Sequence, residues 1–118
     1  MTPRRKYLIS KADKLIRQLV FEKANNRCQW CGGHADDPHH IIGRSHLMHR
    51  WRLFNILALC RRCHSEWHLI GKTEAYERLK EFPEYQFYRD EASLKSIGTV
   101  GDSQIEDVIK ELERDETR

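Results

Sequence analysis

The chain has 118 residues, 33% of them charged and 39% hydrophobic, with a formal net charge of +3. That length allows one domain, and no apolar run approaches the roughly 20 residues that a membrane span needs. So small a hydrophobic share gives a modest core, to which an internal metal staple would add folding energy.

Charge is unevenly placed along the chain. Residues 1–70 hold 13 Lys and Arg against 5 Asp and Glu, a balance of +8, whereas residues 71–118 hold 8 against 13, a balance of −5. A basic body suits a polyanion such as DNA, with a plain solvated face as the alternative; an acidic end suits solubility or a protein contact. The start, Met-Thr-Pro-Arg-Arg-Lys, leads into no apolar segment of the kind an export signal carries. In such a chain four cysteines in two C-x-x-C pairs favour zinc over disulfides and a cytosolic location.

Taken in order, residues 1–9 read as a basic, mobile arm able to grip phosphate. A helix is predicted from Ser10, an N-cap, with Ala12, Leu15, Ile16, Leu19 and Val20 at helical spacing. It should stop near Asn25-Asn26 and cover the cysteine module that follows. Cys28-Gln-Trp-Cys31-Gly-Gly has the shape of a zinc knuckle: two thiolates grip one ion while the glycines permit the turn and leave amides facing sulfur. Its partner pair is Cys60-Arg-Arg-Cys63, and the long separation means that a whole hairpin is inserted between the two.

That hairpin is predicted from Pro38-His39-His40-Ile41-Ile42, a basic connection through Gly43 to Arg50, and a buried returning strand at Ile56-Leu57-Ala58-Leu59. A helix from about Arg61 to Ile70 follows, with Gly71 as its stop. A second is expected over Thr73–Glu81, ended by Pro83. Residues 82–101 carry no clear pattern. A last helix is predicted from Ser103, where Ser103-x-x-Glu106 makes a capping box before the seam Ile105, Val108, Ile109 and Leu112. The seam should pack on the body, with a partner chain or self-association as the alternative.

On the helix after the hairpin, Cys60, Cys63 and Trp67 share one stripe, and His64 and His68, at i and i+4, share a neighbouring one. One short helix can thus serve two metal sites. Along a strand His39 and His40 point to opposite faces. One imidazole can therefore complete a three-His site with His64 and His68 while the other stays free to titrate. Alternation alone leaves open which does which. Three protein ligands leave positions for water and phosphate, as in catalytic rather than structural sites.

The ordered set His39-His40, Asn55 fifteen positions after the second, and His64-x-x-x-His68 resembles the HNH endonucleases, also called ββα-metal or His-Me finger nucleases, over roughly Cys28 to Leu69. The resemblance implies that His39, His64 and His68 hold a catalytic divalent metal and that His40 is the general base. It also implies that Asn55 fixes the base-bearing segment. The expected reaction is hydrolysis of DNA phosphodiester bonds to 5′-phosphate and 3′-hydroxyl ends, and the small size and basic start suit a phage or mobile-element member. Arg44, soon after the His pair, is the phosphate-clamp candidate, with Arg50, Arg52, Arg61 and Arg62 as rivals. Three imidazoles favour Zn²⁺, Ni²⁺ or Mn²⁺, and family members also work with Mg²⁺. The expected whole is α+β. A ββα-metal unit over residues 10–71 is braced by structural zinc on Cys28, Cys31, Cys60 and Cys63, with a helical C-terminal extension over residues 72–118.

Three rivals bound this reading. The scaffold can serve as a zinc-binding nucleic-acid-binding module that does not cut, or the histidines can form a second structural zinc site. His64-Ser65-Glu66 suggests a zinc deaminase, but that fold needs a C-x-x-C after its H-x-E and no cysteine follows His64. His34, His46 and His49 have no role in the scheme and are expected at the surface. Trp30, Trp51 and Trp67 are expected in the core.

Overall fold

The computed structural model describes residues 1–93 and 98–116. These form an α+β arrangement with one antiparallel pair of strands, β1 (Asp37–His40) and β2 (Ile56–Leu59). Around it lie α1 (Pro3–Lys23), α2 (Leu47–Arg50), α3 (Arg61–Leu69), α4 (Lys72–Arg78), α5 (Pro83–Ser93) and α6 (Asp102–Glu116). No helix among the described residues is long and apolar enough to cross a membrane.

The unbroken apolar run of β2 is buried on both faces, and the strand divides two cores. Ile56 and Ala58 enter a cluster with Leu8, Ala12 and Ile16 of α1, with Trp51, and with Ile105 and Ile109 of α6. Leu57 and Leu59 enter a second cluster with Cys28, Cys63, Trp67, Leu79 and Tyr85. Register carries this division across to β1: His39 lies opposite Leu57 and His40 opposite Ile56. Cross-strand partners share a face, so His39 looks towards α3 and His40 towards α1.

Helix α1 begins at Pro3, not at Ser10. The Thr2 hydroxyl caps it by accepting from the Arg5 N–H at 3.1 Å, and proline suits the first helical position. Residues 1–9 are therefore no arm. Arg5 donates to Asp102 at 2.8 Å and to the Val100 carbonyl at 2.7 Å, and Arg4 pairs with Glu106. The acidic end of the chain is what holds the basic beginning. The expected stop stands, since Asn25 and Asn26 take left-handed φ of 53° and 59°. The apolar stripe of α1 covers the first face of the sheet and α6, not the cysteine module, which belongs to the other core.

Two further boundaries differ. Pro83 opens α5 rather than only ending what precedes it, because its fixed φ fits a helix start. Helix α6 starts at Asp102, where the Gly101 N–H donates to Gln104 Oε1 at 2.7 Å, so this one-sided cap falls two residues earlier than the Ser103–Glu106 box. The α6 seam packs on α1, where Ile105, Ile109 and Leu112 are buried and Val108 is partly buried.

Candidate functional site

Cys28 and Cys31 come from the turn after α1, and Cys60 and Cys63 from the start of α3; their four sulfurs lie within 4.8 Å of one another. Tetrahedral Zn–S bonds of about 2.3 Å place sulfurs about 3.8 Å apart, and Cys31 Sγ and Cys60 Sγ are 3.8 Å apart. No disulfide links them. Gly32 takes a left-handed φ of 81°, and the Gly33 N–H that follows donates to Cys31 Sγ at 3.4 Å. The amides of Cys31 and Cys63 donate to Cys28 Sγ and Cys60 Sγ at the same distance. Burial opposes the Cys28 thiolate, yet the backbone N–H groups of Cys31, Cys60 and Trp30 bring its pKa down to about 7. Burial, and then the neighbouring cysteines, push the Cys63 thiol up. Four crowded thiols resist ionising together, and a divalent cation removes that conflict. The cluster can hold a metal such as zinc.

A second cluster lies on the next stripe of α3. His39 from β1 and His64 and His68 from α3 bring their ligand nitrogens within 4.8 Å of one another. The Nε2 atoms of His64 and His68 are 3.1 Å apart, close to the roughly 3.3 Å set by tetrahedral Zn–N bonds of about 2.0–2.1 Å. His39 is 5% exposed, and its Nδ1 is buried with no hydrogen-bond partner. An orphaned buried nitrogen is costly; beside two further imidazoles it fits a cation site. Burial first, then His64, His68 and His40, lower the His39 pKa to about 3, so its ring is neutral, the ligating form.

Asp37 extends this site. Its Oδ2 accepts from His64 Nδ1–H at 3.2 Å, which fixes the tautomer and leaves the Nε2 lone pair facing His68. Despite partial burial, hydrogen bonds from His64 and Arg61 hold the Asp37 carboxyl below its ordinary value. The sequence reading missed this residue, although the signal was present: Asp37 and His39 are two apart in a strand and share a face.

His40 stands on the opposite face. Because the Arg50 carbonyl can only accept, His40 Nε2–H donates to it at 3.0 Å, and Nδ1 is the nitrogen left to take a proton. Burial, helped by the Arg44 and Arg50 charges, lowers the His40 pKa against the opposing pull of the Arg50 carbonyl and Asp13, so the ring is neutral at neutral pH. His40 borders two grooves. One, of about 360 Å³, also meets Asp13, Asp37, Arg44 and His64; the other, of about 520 Å³, also meets His39 and His68.

Asn55 is 0% exposed and ties the loop shut. Its Nδ2 donates to the carbonyls of Ile42 at 3.1 Å and His49 at 2.9 Å, and its Oδ1 accepts from the Ile42 N–H at 2.8 Å. Arg44 lies 3.2 Å from Asp13, which Arg50 grips more closely through two bonds of 2.9 and 2.7 Å. Arg52 faces Glu111 and Arg61 faces Asp37, while Arg62 is exposed beside the cysteine cluster. His49 is buried, contrary to expectation, with Nδ1 2.6 Å from the Tyr88 hydroxyl. His34 is exposed, and neither it nor His46 joins a ligand cluster among the described residues. Trp51 and Trp67 are core residues, and Trp30 packs against Trp67. No protein-family model, curated protein or solved structure matches this chain.

Proposed function

We propose that this chain is a metal-dependent endonuclease of the HNH, ββα-metal type, with β1, β2 and α3 as its hairpin-and-helix unit. One observation carries the reading: His39, His64 and His68 converge from two elements while His40, next in sequence, keeps Nδ1 free beside grooves on either side. His39, His64 and His68 would hold a divalent ion, and three imidazoles suit Zn²⁺, Ni²⁺ or Mn²⁺ better than Mg²⁺. Such an ion, when bound, supplies positive charge opposite the scissile phosphate and the 3′ leaving oxygen.

The chain's own residues do the rest. His40 Nδ1 takes a proton from the attacking water, and the Arg50 carbonyl stabilises the resulting imidazolium through Nε2–H. Asn55 holds the loop that follows His40, and Asp37 holds the His64 ring. The cysteine cluster, loaded with zinc, braces the base of α3. DNA is the proposed substrate, with 5′-phosphate and 3′-hydroxyl products, and a reducing cytoplasm the compartment that suits thiolate-bound zinc.

The test is incubation of supercoiled plasmid with the protein and Mg²⁺, Mn²⁺, Ni²⁺, Zn²⁺ or EDTA. Nicked or linear product is expected with at least one metal and none with EDTA. His40→Ala should lose at least about 100-fold in rate with unchanged fold and zinc content, and cleavage at the wild-type rate by that variant removes the base assignment. Plasmid that stays intact with every metal yet is bound selects the non-catalytic nucleic-acid-binding module instead.

A further inference from the structure

We infer that the groove between the His cluster and the α4–α5 pair seats the phosphates of a DNA strand, with Lys72 and Arg89 as its phosphate contacts. The inference rests on the nuclease reading and assigns the substrate a path across it. This groove, about 520 Å³ in volume, is lined by His39, His40 and His68 and by Lys72, Tyr76 and Arg89. Among the described residues no Asp or Glu lines it. The groove on the α1 side of His40 has Asp13 and Asp37 in its walls, and these carboxylates already engage Arg44, Arg50 and Arg61. The α1-side walls thus set two carboxylates against Arg17 and Arg44, whereas the walls of this groove carry Lys72 and Arg89 and no carboxylate, the acid nearest Arg89 being Asp90 at 3.7 Å.

The two cations are differently built. Lys72 is exposed and makes no ion pair among the described residues. Arg89 is oriented: its guanidinium lies 4.6 Å above the Tyr76 ring, and the Tyr76 hydroxyl donates to Asp90 at 2.9 Å, which anchors the ring in turn. Stacking orients the guanidinium plane, and the one ion pair it makes among the described residues, Nη1 to Asp90 Oδ1 at 3.7 Å, is longer than a hydrogen bond and leaves edge N–H groups for phosphate oxygens. Both residues lie in the part of the chain whose net charge is negative, so their placement on the wall facing the histidines is a local feature and not the average of that region.

The experiment reads binding without turnover. A short fluorescein-labelled DNA duplex is titrated by anisotropy with zinc-loaded His40→Ala protein across a range of salt. The same is done after adding Lys72→Gln, Arg89→Gln or both. Each substitution should weaken binding and lower the salt slope by about 1, as loss of one phosphate contact does. Zinc content and melting temperature should not change, and Lys80→Gln, whose Nζ pairs with Glu77 at 2.8 Å, should leave the slope unaltered. In the otherwise wild-type enzyme the double substitution should raise KM for plasmid with little change in kcat. If wild-type protein cuts DNA and the His40→Ala parent binds it while the added double substitution leaves affinity and slope unchanged, the groove assignment falls and the nuclease reading stands. If the wild type does not cut and the His40→Ala parent does not bind, both fall.

Discussion

Among single residues Asp37 has the most specific consequence. Its carboxylate decides which nitrogen of His64 faces His68. Removing the carboxylate frees the ring to rotate and to take the wrong tautomer, and loss of such a partner typically lowers metal affinity about 10–100-fold. Asp37→Ala should therefore weaken one of two metal-binding events while the cysteine cluster keeps its zinc. Equilibrium dialysis against Ni²⁺ or Zn²⁺ checks this, and a triad affinity equal to wild type would show that packing against His39 and His68 alone orients His64.

At the level of elements, the contact to test is α1 against the segment that precedes β2. Asp13 on α1 accepts from Arg50 Nε and Nη2 and from Trp51 Nε1 at 2.7–2.9 Å, and so pins the residue whose carbonyl receives His40. Burial works against its charge, but hydrogen bonds from Arg50 and Trp51 and the charges of Arg50 and Arg44 hold its pKa below 3.8. A carboxyl whose folded-state pKa is depressed adds stability above its unfolded value and loses it as pH falls through the folded one. Asp13→Asn should thus cost about 1–3 kcal/mol. The gap from wild type should be constant between about pH 5 and about pH 8, closing only under more acid conditions. Urea melts of both proteins across that range give the answer, and a gap that changes with pH inside it would place the linkage on a histidine instead.

For the molecule as a whole, two small cores share one buried strand, and the second contains two of the four cysteines. Neither core is large, so the proposed zinc contributes to folding directly. Cys28→Ser should lower the melting temperature by about 10 °C or more, the equivalent of about 3 kcal/mol or more for a domain of this size. Calorimetry with parallel zinc analysis checks it; an unchanged transition in protein that has lost its zinc would mean that Trp30, Trp67 and their apolar neighbours hold the second core unaided.

What could be read from the sequence has a short range. The C-x-x-C pairs, His64 with His68 at one helical turn, the opposite faces of His39 and His40, and the buried run of β2 all follow from the fixed periods of helix and strand, which act within a few residues. The α+β class follows from the same patterns. Other features join residues 30 or more positions apart. The anchoring of the first turn of α1 depends on Asp102 and Val100, the compensation of Arg44 on Asp13, and the burial of His49 on Tyr88. Helix α5 carries a mixed pattern because Tyr85 enters the core while Phe87 stays exposed. No local period encodes a partner on another element. Chain chemistry alone thus determined which residues can ligate and which strand faces they occupy, while tertiary packing decided which charges are already neutralised and where open cationic surface remains.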